Sequence, residues 1–277
     1  MSQPTADHPI RDRVVVVTGG GNGIGAALCR RFHREGARHV AVLDRDAAAA
    51  AAVADACGGS AHTVDVTDRE SLQATLRAVI GEFGGIDLCA SNAGVQAIGG
   101  ADTPVAQWQA AWDVNLMSQV HAAELLVPHY LGRGSGTFLQ TASAGGLLIE
   151  LGSAAYTVTK AGVIAFAEWL SATYRRRGID VSVLCPAGVQ TDFLTHDDPA
   201  HSFLHTHAIS PDEVAEDAVR GLAERSFLIV PEAHGQVLEF YAEKSRDYDR
   251  YLHHFSRIAQ KMERKRQRAE SQGATTD

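Results

Sequence analysis

No apolar run in the 277 residues approaches the ~20 that a membrane-spanning helix needs, so a bilayer is not an expected partner. Positive charge is also scarce. There are 25 Lys and Arg against 33 Asp and Glu, and the net charge is −8. That balance argues against nucleic acid as a partner, because phosphate-backbone binding rests on clustered Lys and Arg. Cysteine is sparse and scattered: Cys29, Cys57, Cys89 and Cys185 form no CxxC pair, and three of them sit in apolar runs. This fits buried thiols in a reducing compartment rather than a disulfide framework or a metal site. The residues ahead of Arg13 hold no apolar segment of the kind a secretion signal carries. A cytoplasmic protein is expected.

What is present is core material, with 45% hydrophobic residues against 21% charged. Strand-like and helix-like segments alternate from Arg13 to about Pro231, the pattern of a parallel sheet covered on both faces. The β-branched run Val14–Val17 reads as a buried strand, and a helix follows from Gly23 to about Glu35, ended by Gly36. Further strands are expected at His39–Leu43, Ala61–Val64, Leu88–Ser91, Thr137–Gln140, Val181–Leu184 and Phe227–Val230. Helices are expected over the alanine-rich Ala47–Ala56, over Val105–Tyr130 and over Ala154–Arg176. Residues 192–210 break this rhythm and read as a substrate loop, after which Ser210-Pro211-Asp212-Glu213 starts a capped helix.

The turn after the first strand is Thr18-Gly19-Gly20-Gly21-Asn22-Gly23-Ile24-Gly25. Glycines between a strand and a helix let the backbone approach a pyrophosphate, and the helix N-terminus attracts its charge. Asp44 ends the second strand, about 20 residues on, where an acid suits the ribose hydroxyls of a dinucleotide and repels a 2′-phosphate. An Asp there also suits a simple turn cap. On the first reading NAD is the expected cofactor and NADP the less favoured one, with Arg45 next door as a group able to pair with the extra phosphate.

With Tyr156-x-x-x-Lys160, Ser143 and Asn115 added, the chain resembles the short-chain dehydrogenase/reductase family over roughly residues 13–231. The resembling segments are Thr18-Gly19-x-x-x-Gly23-x-Gly25, Asp65-Val66, Ser91-Asn92-Ala93-Gly94 and Pro186-Ala187-Gly188-Val189-Gln190-Thr191. The resemblance implies an α/β protein: a single doubly wound Rossmann-type domain whose seven-stranded parallel sheet has helices on both faces. It implies NAD(P)-dependent hydride transfer on CH–OH, with Tyr156 as general acid/base, Ser143 on the substrate oxygen, Lys160 on the nicotinamide ribose and Asn115 holding a relay water. The implied cofactor contacts are Gly19, Asn22, Gly23, Ile24, Gly25, Asp44, Arg45, Asp65, Val66, Asn92, Ala93, Gly94, Tyr156, Lys160, Pro186, Val189 and Thr191. Physically, Lys160 shares a helix face with Tyr156 and is expected to draw its pKa down from about 10 toward working pH.

The pattern is broken at Ser91, which replaces a usual asparagine, and at Ala187, which replaces a usual glycine and would be strained at positive φ. The expected substrate wall is Val95, Gly145, Leu148, Leu151, Phe193 and Leu194, together with Ser143 and Tyr156. It carries few charges, so a mostly apolar secondary alcohol or ketone is the expected small-molecule partner. His196, His201, His205 and His207 suit a solvated loop rather than a metal site. Beyond Pro231 the expectation is a helical extension over 232–277 with a disordered tail. Its stripe of Tyr248, Tyr251, Leu252, Phe255, Ile258 and Met262 needs covering, or itself covers the chain's own cleft or a neighbour's. Residues 1–12 are expected to be flexible, and surplus apolar surface on the two long helices suggests a dimer or tetramer. The alternatives are an NADP-dependent ketone or 3-oxoacyl-thioester reductase and a catalytically idle dinucleotide sensor.

Overall fold

The computed structural model describes residues 9–192 and 208–273. The valine run forms β1 (Val14–Thr18), and because it offers no polar face all five side chains are buried. Its neighbours are β2 (His39–Asp44) on one side and β4 (Leu88–Ser91) on the other. With β3 (Ser60–Thr63), β5 (Gly136–Thr141), β6 (Ile179–Leu184) and β7 (Leu228–Ile229) they make one parallel sheet in the order β3-β2-β1-β4-β5-β6-β7. The order reverses between β1 and β4. A crevice opens at such a switch point, beyond the carboxyl ends of the strands.

Alternation along each strand sends side chains to two separate cores. Val15, Val17, Val42 and Leu139 pack with α1 (Gly23–Arg34), α2 (Ala47–Cys57) and α8 (Pro211–Ala223). Val14, Val16, Leu43, Phe138 and Val183 face α3 (Arg69–Phe83), α5 (Ser118–Arg133) and α7 (Ala154–Tyr174). The start of α8 is the predicted capping box, in which Ser210 and Glu213 bond each other's backbone N–H. All four cysteines are buried and free.

Three local expectations change. The helix predicted over Val105–Tyr130 is α4 (Val105–Trp112), a π turn at Asp113–Met117 and then α5. The extra residue of the π turn swings Asn115 out of helical register, and Gln119 Nε2 donates to the Asn115 carbonyl at 3.0 Å. The helix over Ala154–Arg176 stops at Tyr174 and tightens into a 3₁₀ turn at Arg175–Arg177. At the N-terminal side, Ile10 is fully buried and the Asp12 N–H donates to the Gly36 carbonyl, so the chain joins the core before Arg13; residues 1–8 lie outside the described residues. After Pro231 come α9 (Gln236–Arg246) and α10 (Tyr248–Gly273). They pack on each other through Phe240 against His254 and Lys244 over Tyr248 and Tyr251.

Candidate active site

A cleft of about 1160 Å³ runs along the carboxyl edge of the sheet. The glycine turn opens it. Gly19 sits at φ +63°, and a Cβ there would come within 2.8 Å of Ala93 Cα, so the turn after β1 and the end of β4 touch through bare backbone. Thr18 Oγ1 accepts from the N–H groups of Asn92 and Ala93, and Asn92 Nδ2 donates to the carbonyls of Thr18 and Gly19. Asn22 caps α1. The Asp44 carboxylate is fixed from both sides: Oδ2 accepts from Gly21 N–H at 2.9 Å and Oδ1 from Asp46 N–H at 3.0 Å. It is thus a turn acid and a wall residue together, and Arg45 shares that wall.

Of the residues expected to hold a dinucleotide, Gly19, Asn22, Gly23, Ile24, Asp44, Arg45, Asp65, Val66, Asn92, Ala93, Gly94, Tyr156, Lys160, Pro186, Val189 and Thr191 line this cleft. Gly25 does not. A Cβ at Gly25 would lie 1.9 Å from the Gly19 carbonyl oxygen, so its task is to let the first turn of α1 close onto the glycine turn. Ser91 turns inward instead, its Oγ 3.7 Å from Cys89 Sγ. Ala187 carries no positive φ, which removes the expected strain, and its N–H donates to His234 Nδ1 at 3.1 Å.

Ser143, Tyr156 and Lys160 meet on the same wall. Ser143 lies two residues beyond the end of β5 and caps the short helix α6 (Ala144–Leu147), its Oγ accepting from Gly145 N–H at 3.0 Å. Tyr156 and Lys160 lie one turn apart in α7, and Lys160 Nζ donates to the Thr141 carbonyl at 2.8 Å and stands 5.7 Å from the Tyr156 ring centroid. Burial sets the electrostatics. It holds Lys160 down at about 8 and pushes the Tyr156 phenol well above its ordinary value, with the Glu150 carboxylate adding to the rise and a hydrogen bond with Ser143 opposing it. The expected lowering of the phenol by Lys160 is therefore corrected for the chain by itself: burial dominates and raises it. Asn115 is buried off the cleft, where its amide brackets Val95 by accepting from the N–H at 2.7 Å and donating to the carbonyl at 3.0 Å.

Val95, Gly145, Leu148 and Leu151 line the same cleft as Ser143 and Tyr156, whereas Phe193, Leu194 and the four loop histidines lie outside the described residues. Lys261 and Lys265 of the carboxyl-terminal extension also line the cleft, and one unexpected acid, Glu150, stands on this wall. The only hint was one acid inside Leu147-Leu148-Ile149-Glu150-Leu151. The far wall comes from the carboxyl-terminal extension: His234, Val237, Phe240, Phe255, Ile258 and Met262. Lys244 Nζ ties α9 to the carbonyls of Leu147 and Leu148, at 2.7 and 3.3 Å. The predicted stripe thus covers its own cleft along Phe255, Ile258 and Met262, while Tyr251 is buried and Tyr248 and Leu252 stay exposed.

The sequence model of the short chain dehydrogenase family matches residues 13–201. A 1-deoxy-11-beta-hydroxypentalenate dehydrogenase of Streptomyces exfoliatus is 37% identical over 190 residues, covering 66% of this chain and 69% of that protein. The protein of the same name from Streptomyces avermitilis is 32% identical over 235 residues, 82% of this chain and 87% of its own. Among solved structures, a short chain dehydrogenase/reductase from Burkholderia phymatum in complex with NAD superposes with a TM-score of 0.78 at 26% identity, covering 87% of this chain and 95% of that one.

Proposed function

The chain belongs to the short chain dehydrogenase family and is an oxidoreductase acting on CH–OH, and from that premise we propose that it interconverts a mostly apolar secondary alcohol and its ketone with NAD. The observation that carries this reading is the shared wall: Ser143, Tyr156 and Lys160 border the same cleft as the glycine turn and Asp44. When bound, the nicotinamide takes or gives the hydride. The chain supplies everything else. The turn at Gly19–Ile24 and the N-terminus of α1 suit a pyrophosphate, Asp44 suits two ribose hydroxyls, and Asp65 and Val66 suit the adenine.

Ser143 orients the substrate oxygen, and the Tyr156 hydroxyl accepts its proton in oxidation and returns it in reduction, a step worth about 10²–10⁴ in rate for a positioned acid/base. Lys160 holds a ribose hydroxyl and, as a buried cation, favours the phenolate that the pocket otherwise resists. Asn115 is a positioning residue through Val95, whose N–H and carbonyl its amide brackets, and is the group assigned to the relay water. The apolar wall keeps bulk water away. The names of the two Streptomyces relatives, each built on a hydroxylated compound, support a hydroxyl-bearing substrate.

The working form is proposed to be a homo-oligomer, because Val105 is 82% exposed and Trp169 56%, with Trp112 and Val158 also at the surface of α4 and α7. Arg45 on the cleft wall is what favours the second reading, an NADP-dependent ketone reductase. Steady-state rates over a panel of secondary alcohols with NAD and with NADP test both. NADH formation faster than NADPH formation is expected; a preference for NADP overturns the cofactor assignment, and no turnover with either overturns the substrate class.

A further inference from the structure

Glu150 stands at the substrate end of the cleft, where neither the cofactor nor the acid–base step employs it. Its carboxylate fits because residue 145 is glycine: a Cβ on Gly145 would lie 3.0 Å from Glu150 Oε2 and 3.1 Å from Glu150 Cβ. The same point is 3.4 Å from Ser143 Oγ, so by those two distances Glu150 Oε2 and Ser143 Oγ are at most about 6.4 Å apart. The carboxylate is also aimed and anchored. Gln96 Nε2 donates to Oε1 at 2.8 Å, the Glu150 N–H donates to Thr157 Oγ1 at 2.9 Å, and Thr157 is the neighbour of Tyr156. Its charge reaches both Tyr156 and Lys160.

An anionic oxygen in a cleft lined by Leu148, Ile149, Leu151 and Phe240 as well as by polar groups such as Gln96 disfavours a purely hydrocarbon guest, since desolvating it against apolar surface is costly. We infer that Glu150 is a specificity-determining residue: it accepts a hydrogen bond from a second donor, a hydroxyl or an ammonium, that the substrate carries one or two carbons from its reacting carbinol. This rests on the reading above, in which Ser143 and Tyr156 bind the reacting oxygen. It also means that a carboxylate at the same place on the substrate is rejected by like charge.

Three probes separate the possibilities: cyclohexanol, trans-1,2-cyclohexanediol and trans-2-aminocyclohexanol. They are titrated calorimetrically at neutral pH into NADH-loaded wild type, Glu150→Gln and Glu150→Asp, where they bind without turning over, and NADH formation is followed separately with NAD. Wild type should bind the amino alcohol at least about ten-fold more tightly than cyclohexanol, about 1.4 kcal/mol, with the diol between them. Glu150→Gln should bring the amino alcohol to within about two-fold of cyclohexanol. No preference in wild type, or a preference that Glu150→Gln leaves intact, overturns the inference. If Glu150→Gln loses NADH binding, Glu150→Asp decides, because the shortened acid must weaken the preference and an unchanged one refutes it. A preference that collapses as expected, in a protein that forms NADH from none of the three probes, supports the site and counts against the NAD-linked secondary-alcohol reading instead.

Discussion

Replacing Lys160 with methionine should change how stability depends on pH. Lys160 is 2% exposed, and burial depresses its pKa from 10.5 to about 8. A depressed lysine weighs fully against the folded state below its folded pKa, because the unfolded chain holds the proton more firmly. The penalty fades as pH climbs through the unfolded value, so stability gained from this group rises across the window from about 8 to 10.5. At about 1.36 kcal/mol per unit the penalty is about 3 kcal/mol, of which roughly 2.5 kcal/mol is relieved between about pH 7 and about pH 10. The buried thiols act with the opposite sign. Burial raises Cys89 to about 11 and Cys185 to about 12, so their contribution is present at low pH and is lost as the unfolded thiols ionise. The difference between wild type and Lys160→Met cancels the Cys89 contribution, and Cys185, whose pKa Lys160 lowers, ionises only above the window's middle. That difference also contains the stranded Thr141 carbonyl, about 1–3 kcal/mol, but that offset does not titrate. Urea unfolding of both proteins over this pH range gives the curve. Wild type should gain about 2–3 kcal/mol on the variant from the low to the high end. A difference flat to within about 0.5 kcal/mol would refute a buried ammonium at Lys160.

Asp44→Ala should cut the preference for NAD over NADP by roughly ten-fold in kcat/KM and also lower stability by about 1–2 kcal/mol, through the lost bonds to Gly21 and Asp46; an unchanged cofactor ratio would remove Asp44 from the ribose site. Trp169→Glu, placing a charge on the most exposed aromatic of α7, should shift the assembly toward smaller species in light scattering, and an unchanged mass would move the interface elsewhere. Truncation after Ala233 removes His234, Phe240, Phe255 and Met262 from the cleft and should raise substrate KM by about ten-fold or more, while an unaltered KM would make the extension an appendage.

Where one local rule dominates, the residues announce themselves. Val14–Val17 reads as a buried strand because nothing else suits four consecutive β-branched residues, and the run of alanines at Ala47 becomes α2 with Asp46 as its cap. The family motifs place Ser143, Tyr156 and Lys160 on one wall because strand ends and a single helix face are fixed by period alone. What escapes depends on contacts far apart in sequence. The π turn at Asp113–Met117 answers the need of Asn115 to reach Val95, and the role of Gly25 appears only when α1 closes on Gly19. The rise of the Tyr156 pKa comes from burial that no spacing reveals. Glu150 and His234 escape for the same reason, since a lone acid in an apolar run and a lone histidine carry no motif. The amphipathic stripe of α10 is legible, but its cover, the chain's own cleft, is a tertiary fact.

The central claim is that the Tyr156 hydroxyl moves the proton while hydride moves on the cofactor. It is tested most directly by Tyr156→Phe, measured for NAD affinity by calorimetry and for turnover of the best alcohol found with wild type. The ring is buried and the change removes one oxygen, so the fold and the cofactor site should survive, with NAD affinity within about three-fold and kcat lower by at least about 10³. A variant that binds NAD normally and keeps most of the wild-type rate would contradict the account.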